Sequence, residues 1–194
     1  MRKCARFAAT FLDQSAEGRA QGAEAAWRRV VSAALCALRP ALLLLIALPL
    51  VAADLRPTKT AADIAKAFPA KAKVRLLNVW ATWCIPCVAE MPDLRAIDDA
   101  FGDELAIAGV SMDDMIPDTK PAKVAAFLDK QRIAFPNVYY TGNPDDLGEH
   151  LDFDGEIPLT IIYDRKGKEL WRHQGRLERD ATIARLRDIL RRMR

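Results

Sequence analysis

The chain has 194 residues, 51% of them hydrophobic and 28% charged, a composition that suits one packed domain with an extra segment and excludes an intrinsically disordered protein. Its formal charge of +3 is unevenly placed: residues 1–53 hold seven Lys/Arg and three Asp/Glu, and residues 54–194 hold 22 and 23. The later part is therefore close to neutral. Its densest basic run (Arg185, Arg187, Arg191, Arg192, Arg194) falls in the last turns of a predicted helix, where cations complement the dipole. Nothing there resembles the one-sided basic face that nucleic-acid binding needs.

In chain order, the first predicted element is an address. Arg28, Arg29 and Arg39 precede the apolar run Ala41–Leu48, and after Pro49 come Leu50, Val51, Ala52 and Ala53. A positive flank, a short hydrophobic stretch and small residues at −3 and −1 predict a signal peptide cleaved after Ala53, preceded by an unusually long lead-in. The uncharged run Pro40–Ala53 is short of the roughly 20 apolar residues of a spanning helix, so an uncleaved membrane anchor is the alternative. Either version predicts export to the periplasm or another extracytoplasmic site. Two domains of unequal kind follow: 1–53, extension and signal peptide or anchor, and 54–194, one folded domain.

Within 54–194, Thr58–Phe68 is predicted as a short helix and Lys73–Trp80 as a buried strand. A helix is expected from Cys84 to Phe101, with Pro86 in its first turn and Gly102 ending it. Then come a strand at Glu104–Val110, a helix at Lys120–Gln131 on the spacing of Val124, Phe127 and Leu128, a strand at Phe135–Tyr140 and a short helix at Pro144–Leu151. Leu159–Tyr163 and Lys168–His173 form a hairpin across the turn Asp164–Gly167. Arg179 to the end closes the chain as an amphipathic helix with Ile183, Leu186, Ile189 and Leu190 on its apolar stripe. Such an alternation predicts an α/β sandwich with a central mixed sheet flanked by helices.

Four cysteines are present, at 4, 36, 84 and 87. Removal of the first 53 residues leaves one close pair, which is a redox centre or half of a metal site. The stretch Trp80-Ala-Thr-Trp-Cys-Ile-Pro-Cys-Val-Ala-Glu-Met-Pro92 sets Cys84 where a strand ends and a helix begins. A helix N-terminus lowers thiol pKa through its dipole and free N–H groups. Cys84 is thus expected to be the exposed attacking thiol, and Cys87, one turn in, the buried thiol that resolves the mixed disulfide. Ile85 and Pro86 help set the potential, and Trp83 limits solvent access. A structural zinc needs four ligands, no second CxxC follows, and His150 and His173 are far apart in sequence and read as surface residues. Trp80, Tyr139 and Tyr140 read as core and strand residues, and Asp113 and Asp114 as caps of the loop after the second strand.

These residues resemble the thioredoxin superfamily, and within it the TlpA/ResA-like branch of exported thiol–disulfide oxidoreductases. The resemblance runs from Lys73 to the C-terminus. It rests on WATWCIPC, Glu90 and Pro92, Asp113, the Ile157-Pro158 step, Asp164–Gly167 and Gly175. It implies a thioredoxin-like sandwich carrying an inserted strand–helix unit, with a cis bond at Ile157–Pro158 that leaves the Ile157 backbone free to pair with substrate beside Cys84. It also implies a protein-disulfide reductase whose only cofactor is the Cys84–Cys87 disulfide, with no bound metal. Its partners would be client proteins of the cytochrome c maturation or copper/oxidase assembly type, and a membrane thiol-transfer protein as electron donor. No nucleic acid partner and a monomeric state are expected. Ordinary thioredoxins carry a buried Asp six residues before the first Cys; here that position is Asn78, and the role of tuning the second thiol passes to Glu90, whose bland reading is a solvated helix face. A copper-holding CxxC module and a peroxidase are the rival functions.

Overall fold

The computed structural model describes residues 52–69 and 71–193. The predicted signal segment up to residue 51, including Cys4 and Cys36, lies outside the described residues. The elements run β1 (Leu55–Thr58), a 3₁₀ helix (Ala61–Ala67), β2 (Val74–Trp80), α1 (Ile85–Phe101), β3 (Leu105–Ser111), α2 (Pro121–Gln131), β4 (Asn137–Tyr140), α3 (Pro144–Leu151), β5 (Leu159–Asp164), β6 (Glu169–Gln174) and α4 (Arg179–Arg192).

The run Val-Arg-Leu-Leu-Asn-Val-Trp of β2 is buried at every position but Arg75, as befits a strand covered on both faces. It lies at the centre of a six-stranded sheet ordered β1-β4-β3-β2-β5-β6. The β1–β4, β4–β3 and β3–β2 pairs are parallel. The β2–β5 and β5–β6 pairs are antiparallel, so the sheet is mixed, as the sequence predicts. Side chains alternate along β2: Leu76, Asn78 and Trp80 share the face that carries α1, which packs against α4. Arg75 and Leu77 face a cavity walled by the 3₁₀ helix and α3.

Two predicted elements differ from the observed ones. Residues 55–57, which carry no predicted element, and Thr58, the predicted helix start, form an edge strand instead, paired residue for residue with Asn137–Tyr140. Its four residues carry no alternation, and Pro57 is tolerated only because the strand is at the edge. The helix that follows begins at Ala61 and has 3₁₀ geometry. Elsewhere the ends move by one or two residues, the ordinary scatter of boundaries. The inserted unit is visible as β4, which separates β1 from β3, followed by α3.

Trp80 is fully buried, stacks on Phe127 with ring centroids 5.6 Å apart, and donates from Nε1 to Asn137 Oδ1 at 3.1 Å. This bond passes directly over Gly109 of β3. A Cβ there would overlap Asn137 Oδ1 and stand 2.8 Å from Trp80 Nε1. Gly109→Ala is therefore expected to lower the unfolding free energy by about 1–3 kcal/mol, the usual cost of overpacking. Urea denaturation followed by tryptophan fluorescence measures it, and an unchanged midpoint would show that the Trp80–Asn137 contact gives way freely.

Candidate functional site: a cysteine pair at a helix N-terminus

Cys84 is the N-cap of α1, in extended backbone conformation, with Pro86 in the first turn behind it. It forms a disulfide with Cys87 across a Cα–Cα distance of 5.2 Å. The Cys87 N–H donates to Cys84 Sγ at 3.3 Å, and the Val88 N–H to the Cys84 carbonyl at 3.0 Å. The cap position thus does with sulfur what Ser or Asp does with oxygen: it satisfies a free N–H of the first turn.

Cys87 is wholly buried, as expected for a resolving thiol. Cys84, expected to be exposed, is only 6% accessible. The reason is the segment before β5: the peptide bond Ile157–Pro158 is cis, and the Ile157 carbonyl oxygen lies 3.7 Å from Cys84 Sγ. In the disulfide this is a contact without a proton; in the dithiol the same oxygen can accept from Cys84 Sγ–H. The cis segment is braced by β6, because the Gly175 N–H donates to the Pro158 carbonyl at 2.8 Å and Gln174 Nε2 donates to the Glu156 carbonyl. The neighbours of Cys84 remain open to solvent, Trp83 at 47% and Ile85 at 83%. Beside them a groove of about 440 Å³ runs between Trp83 and Ile157 over Met112, Met115 and Phe153.

Asp113 does more than cap its own loop. It is fully buried in the turn after β3 and accepts from the Thr82 N–H at 3.1 and 3.2 Å, from the Thr82 hydroxyl, and from the Ser111 hydroxyl at 2.7 Å. One carboxylate thereby ties the end of β3 to the turn that delivers Cys84. The sequence signal was a threonine two residues before the first cysteine, which becomes legible only once β2 and β3 are known to be neighbours.

Glu90 sits one helical turn beyond Cys87 and is completely buried, which excludes the solvated-face reading. Its Oε1 accepts from Asn78 Nδ2 at 2.7 Å and its Oε2 from the Leu177 N–H at 2.9 Å. Burial pushes its pKa above the usual carboxylate range. The two hydrogen bonds and the nearby charges of His173 and Arg176 pull it down without prevailing. His173, read as a surface residue, is half-buried on β6 with its ring stacked on Trp171 at 5.5 Å. Among the described residues, no group of three or more His, Cys, Asp or Glu side chains is placed to hold a metal ion, and no helix is long and apolar enough to cross a membrane.

Residues 54–169 match the AhpC/TSA family. The chain belongs to this thioredoxin-like family. Among its relatives, the "Thioredoxin-like protein YneN" of Bacillus subtilis (strain 168) is 36% identical over 99 residues, covering 50% of this chain and 54% of that protein. The "Thiol-disulfide oxidoreductase ResA" of Oceanobacillus iheyensis is 32% identical over 117 residues, covering 59% of this chain and 56% of that one. The chain thus spans about half the length of the curated relatives it matches. A solved structure, that of a DsbF homologue from Corynebacterium diphtheriae, has the same fold, with a TM-score of 0.52 at 21% identity over 60% of this chain and 71% of that chain. The family match takes in both cysteines, Glu90, Asp113 and the cis-proline segment, and ends at the start of β6.

Removing the Asp113 carboxylate leaves the half-buried Thr82 N–H and the Ser111 hydroxyl without their acceptor. Asp113→Ala is expected to cost about 1–3 kcal/mol of stability, the penalty for stranding such groups, and to speed hydrogen exchange at the Thr82 amide. Exchange at Thr82 no faster than in the unaltered protein would show that the turn is held by other means.

Proposed function

We propose that the protein is an exported thiol–disulfide oxidoreductase that reduces disulfides in client proteins through Cys84 and Cys87. The observation that carries this reading is Cys84 itself: a helix-capping sulfur that receives the Cys87 N–H and lies beside the Ile157 carbonyl that precedes the cis-proline. The relative from Oceanobacillus iheyensis, named a thiol-disulfide oxidoreductase, supports the same chemistry.

The dithiol form starts the reaction. The Cys84 thiolate, favoured by the α1 dipole and the Cys87 N–H, attacks one sulfur of a client disulfide. A mixed disulfide forms and the client's other sulfur leaves as a thiolate. Cys87 then loses its proton to Glu90, attacks Cys84 Sγ, and releases the second client thiolate as the Cys84–Cys87 disulfide closes. Two electrons pass from protein to client, and no other cofactor or metal is required. Burial makes Glu90 a stronger base than an ordinary carboxylate, which suits it to take a thiol proton near neutral pH. Trp83 and the groove beside it, which is lined by Met112, Met115 and Phe153 and edged by Asp145, Glu149 and Asp154, shield the exchange and seat an unfolded client segment, with the Ile157 backbone offering it a strand-like edge; Ile85 and Pro86 set the potential.

The predicted signal segment supports an extracytoplasmic, periplasmic site of action, with a membrane anchor as its variant. The resemblance to TlpA/ResA-like proteins supports clients of the cytochrome c maturation or copper/oxidase assembly type and a membrane thiol-transfer protein as electron donor; the near-neutral charge of residues 54–194 argues against a nucleic-acid partner, and a monomer is proposed. Membership of the AhpC/TSA family raises one second reading, a peroxidase working through Cys84 alone.

Cys87→Ser separates these. In a reductase it abolishes turnover and accumulates a covalent mixed disulfide between Cys84 and client, visible on non-reducing gels. Continued turnover of peroxide by Cys87→Ser would instead establish the one-cysteine peroxidase. Purified protein that carries stoichiometric copper and reduces no disulfide would establish the copper-holding module. Glu90→Gln is expected to slow the resolving step by about 10²-fold at neutral pH, within the range of lost general-base catalysis. Because the Glu90 pKa is raised, the resolving rate climbs with pH only as Glu90 ionises, above the ordinary carboxylate range; the Gln variant loses that limb of the pH profile.

A further inference from the structure

The apolar core between the sheet and α1 contains one polar cluster, made by Asn78 of β2, Glu90 of α1 and Thr160 of β5, each fully buried. Asn78 Nδ2 donates to Glu90 Oε1 at 2.7 Å and to Thr160 Oγ1 at 3.1 Å. The Asn78 carbonyl oxygen, Oδ1, is buried and has no partner. Asn78 and Thr160 are also direct partners in the β2–β5 ladder, so this one side chain joins the cysteine-bearing helix to the cis-proline strand. A buried amide with a stranded oxygen is costlier than an aliphatic side chain of the same size, and its presence asks for a reason in the chemistry.

The alternatives at this position define that reason. An aspartate of the same shape would bring a second carboxylate to hydrogen-bond distance of Glu90, and two such groups cannot both ionise. An aliphatic residue would leave Glu90 Oε1 buried and unpaired. Of these, the neutral amide donor alone allows Glu90 to be charged there. We propose that Asn78 is a positioning residue for the resolving step, holding Glu90 as a carboxylate so that it can take the Cys87 proton. This rests on the role given to Glu90 above.

The stranded oxygen belongs to the second half of the same step. When Cys87–SH passes its proton to Glu90, the products are a Cys87 thiolate and a neutral Glu90 carboxylic acid, whose O–H is now a donor. Nδ2 facing it would set donor against donor. A half-turn of the amide about χ2, a soft torsion in Asn, places Oδ1 where it accepts from Glu90 O–H and from the Thr160 hydroxyl, at the cost of leaving Nδ2 in the buried position that Oδ1 vacates. The Cys87 thiolate meanwhile displaces the client sulfur from Cys84, and the departing thiolate takes up a proton as Glu90 returns to its charged form. Either state of Glu90 thus meets a complementary edge of one side chain. The ionisable groups facing Glu90 from outside the cluster are His173 of β6 and Arg176 beyond it, the latter paired with Asp93 of α1 at 3.3 Å. Both lie outside the Asn78 contact and are unchanged by the substitutions at that position.

The test follows the two thiols separately. Reduced protein mixed with 5,5′-dithiobis(2-nitrobenzoate) releases a first thionitrobenzoate when Cys84 attacks and a second when Cys87 resolves. The rate of the second release is measured against pH for the unaltered protein, Asn78→Asp, Asn78→Ser, Glu90→Gln, and Asn78→Ser combined with Glu90→Gln, with cooperative urea unfolding confirming that every variant is folded. Asn78→Asp is expected to raise the midpoint by about two pH units through like-charge repulsion, and Asn78→Ser by about one through the weaker donor. In the Glu90→Gln background Asn78→Ser moves the midpoint no further. An unmoved midpoint in Asn78→Asp, or an Asn78→Ser shift that persists without Glu90, overturns the inference. A Glu90→Gln midpoint equal to that of the unaltered protein would instead overturn the role of Glu90 itself.

Discussion

The turn between β2 and α1 is where the fold meets the chemistry, and it is held by the buried carboxylate of Asp113. That group reaches from the end of β3 to the backbone and side chain of Thr82, two residues before Cys84. A hydrogen bond to a carboxylate is stronger than one between neutral groups, and one shielded from solvent is stronger still. With the turn fixed, α1 starts at a defined point, Cys84 falls on its cap, and Cys87 follows one turn inside. The disulfide, the cis-proline contact and the groove beside Trp83 all depend on that starting point.

The proposed reaction sets two opposed demands just below. It needs Cys84 to favour its charged form, which a helix N-terminus promotes. It needs Cys87, wholly buried, to lose a proton once a client is bound. A base is needed there, and burying one penalises its charge. For Glu90 the penalty wins: the hydrogen bonds from Asn78 and Leu177 and the nearby Arg176 fail to offset burial, and the pKa stays raised. The result is a carboxyl group suited to exchanging a proton with a thiol, a task for which an exposed glutamate would be too acidic.

The parts of this that a reader of the sequence can see are those in which local pattern and chemistry coincide. The β2 run, the Cys84–Phe101 helix with Gly102 after it, the Pro144–Leu151 helix and the CxxC pair are written in contiguous residues. The β1 strand is not, because Leu-Arg-Pro-Thr becomes a strand only by pairing with residues 137–140. The low exposure of Cys84 depends on Ile157, 73 positions away. The burial of Glu90 depends on Leu177, 87 positions away, and the work of Asp113 on Thr82, 31 positions away. Helical and strand periodicities carry no information about which distant segment will cover a given side chain, so the cysteines, Glu90, Asp113 and Ile157 could be named from the sequence while the partners that bury and hold them could not.

The most direct test of the central claim is the reduction potential of the Cys84–Cys87 pair, obtained by equilibrating the protein with glutathione and dithiothreitol buffers. A protein that donates electrons to client disulfides is expected near the thioredoxin value, about −270 mV. A value near that of DsbA, about −120 mV, would make the pair an electron acceptor and contradict the proposed direction of flow.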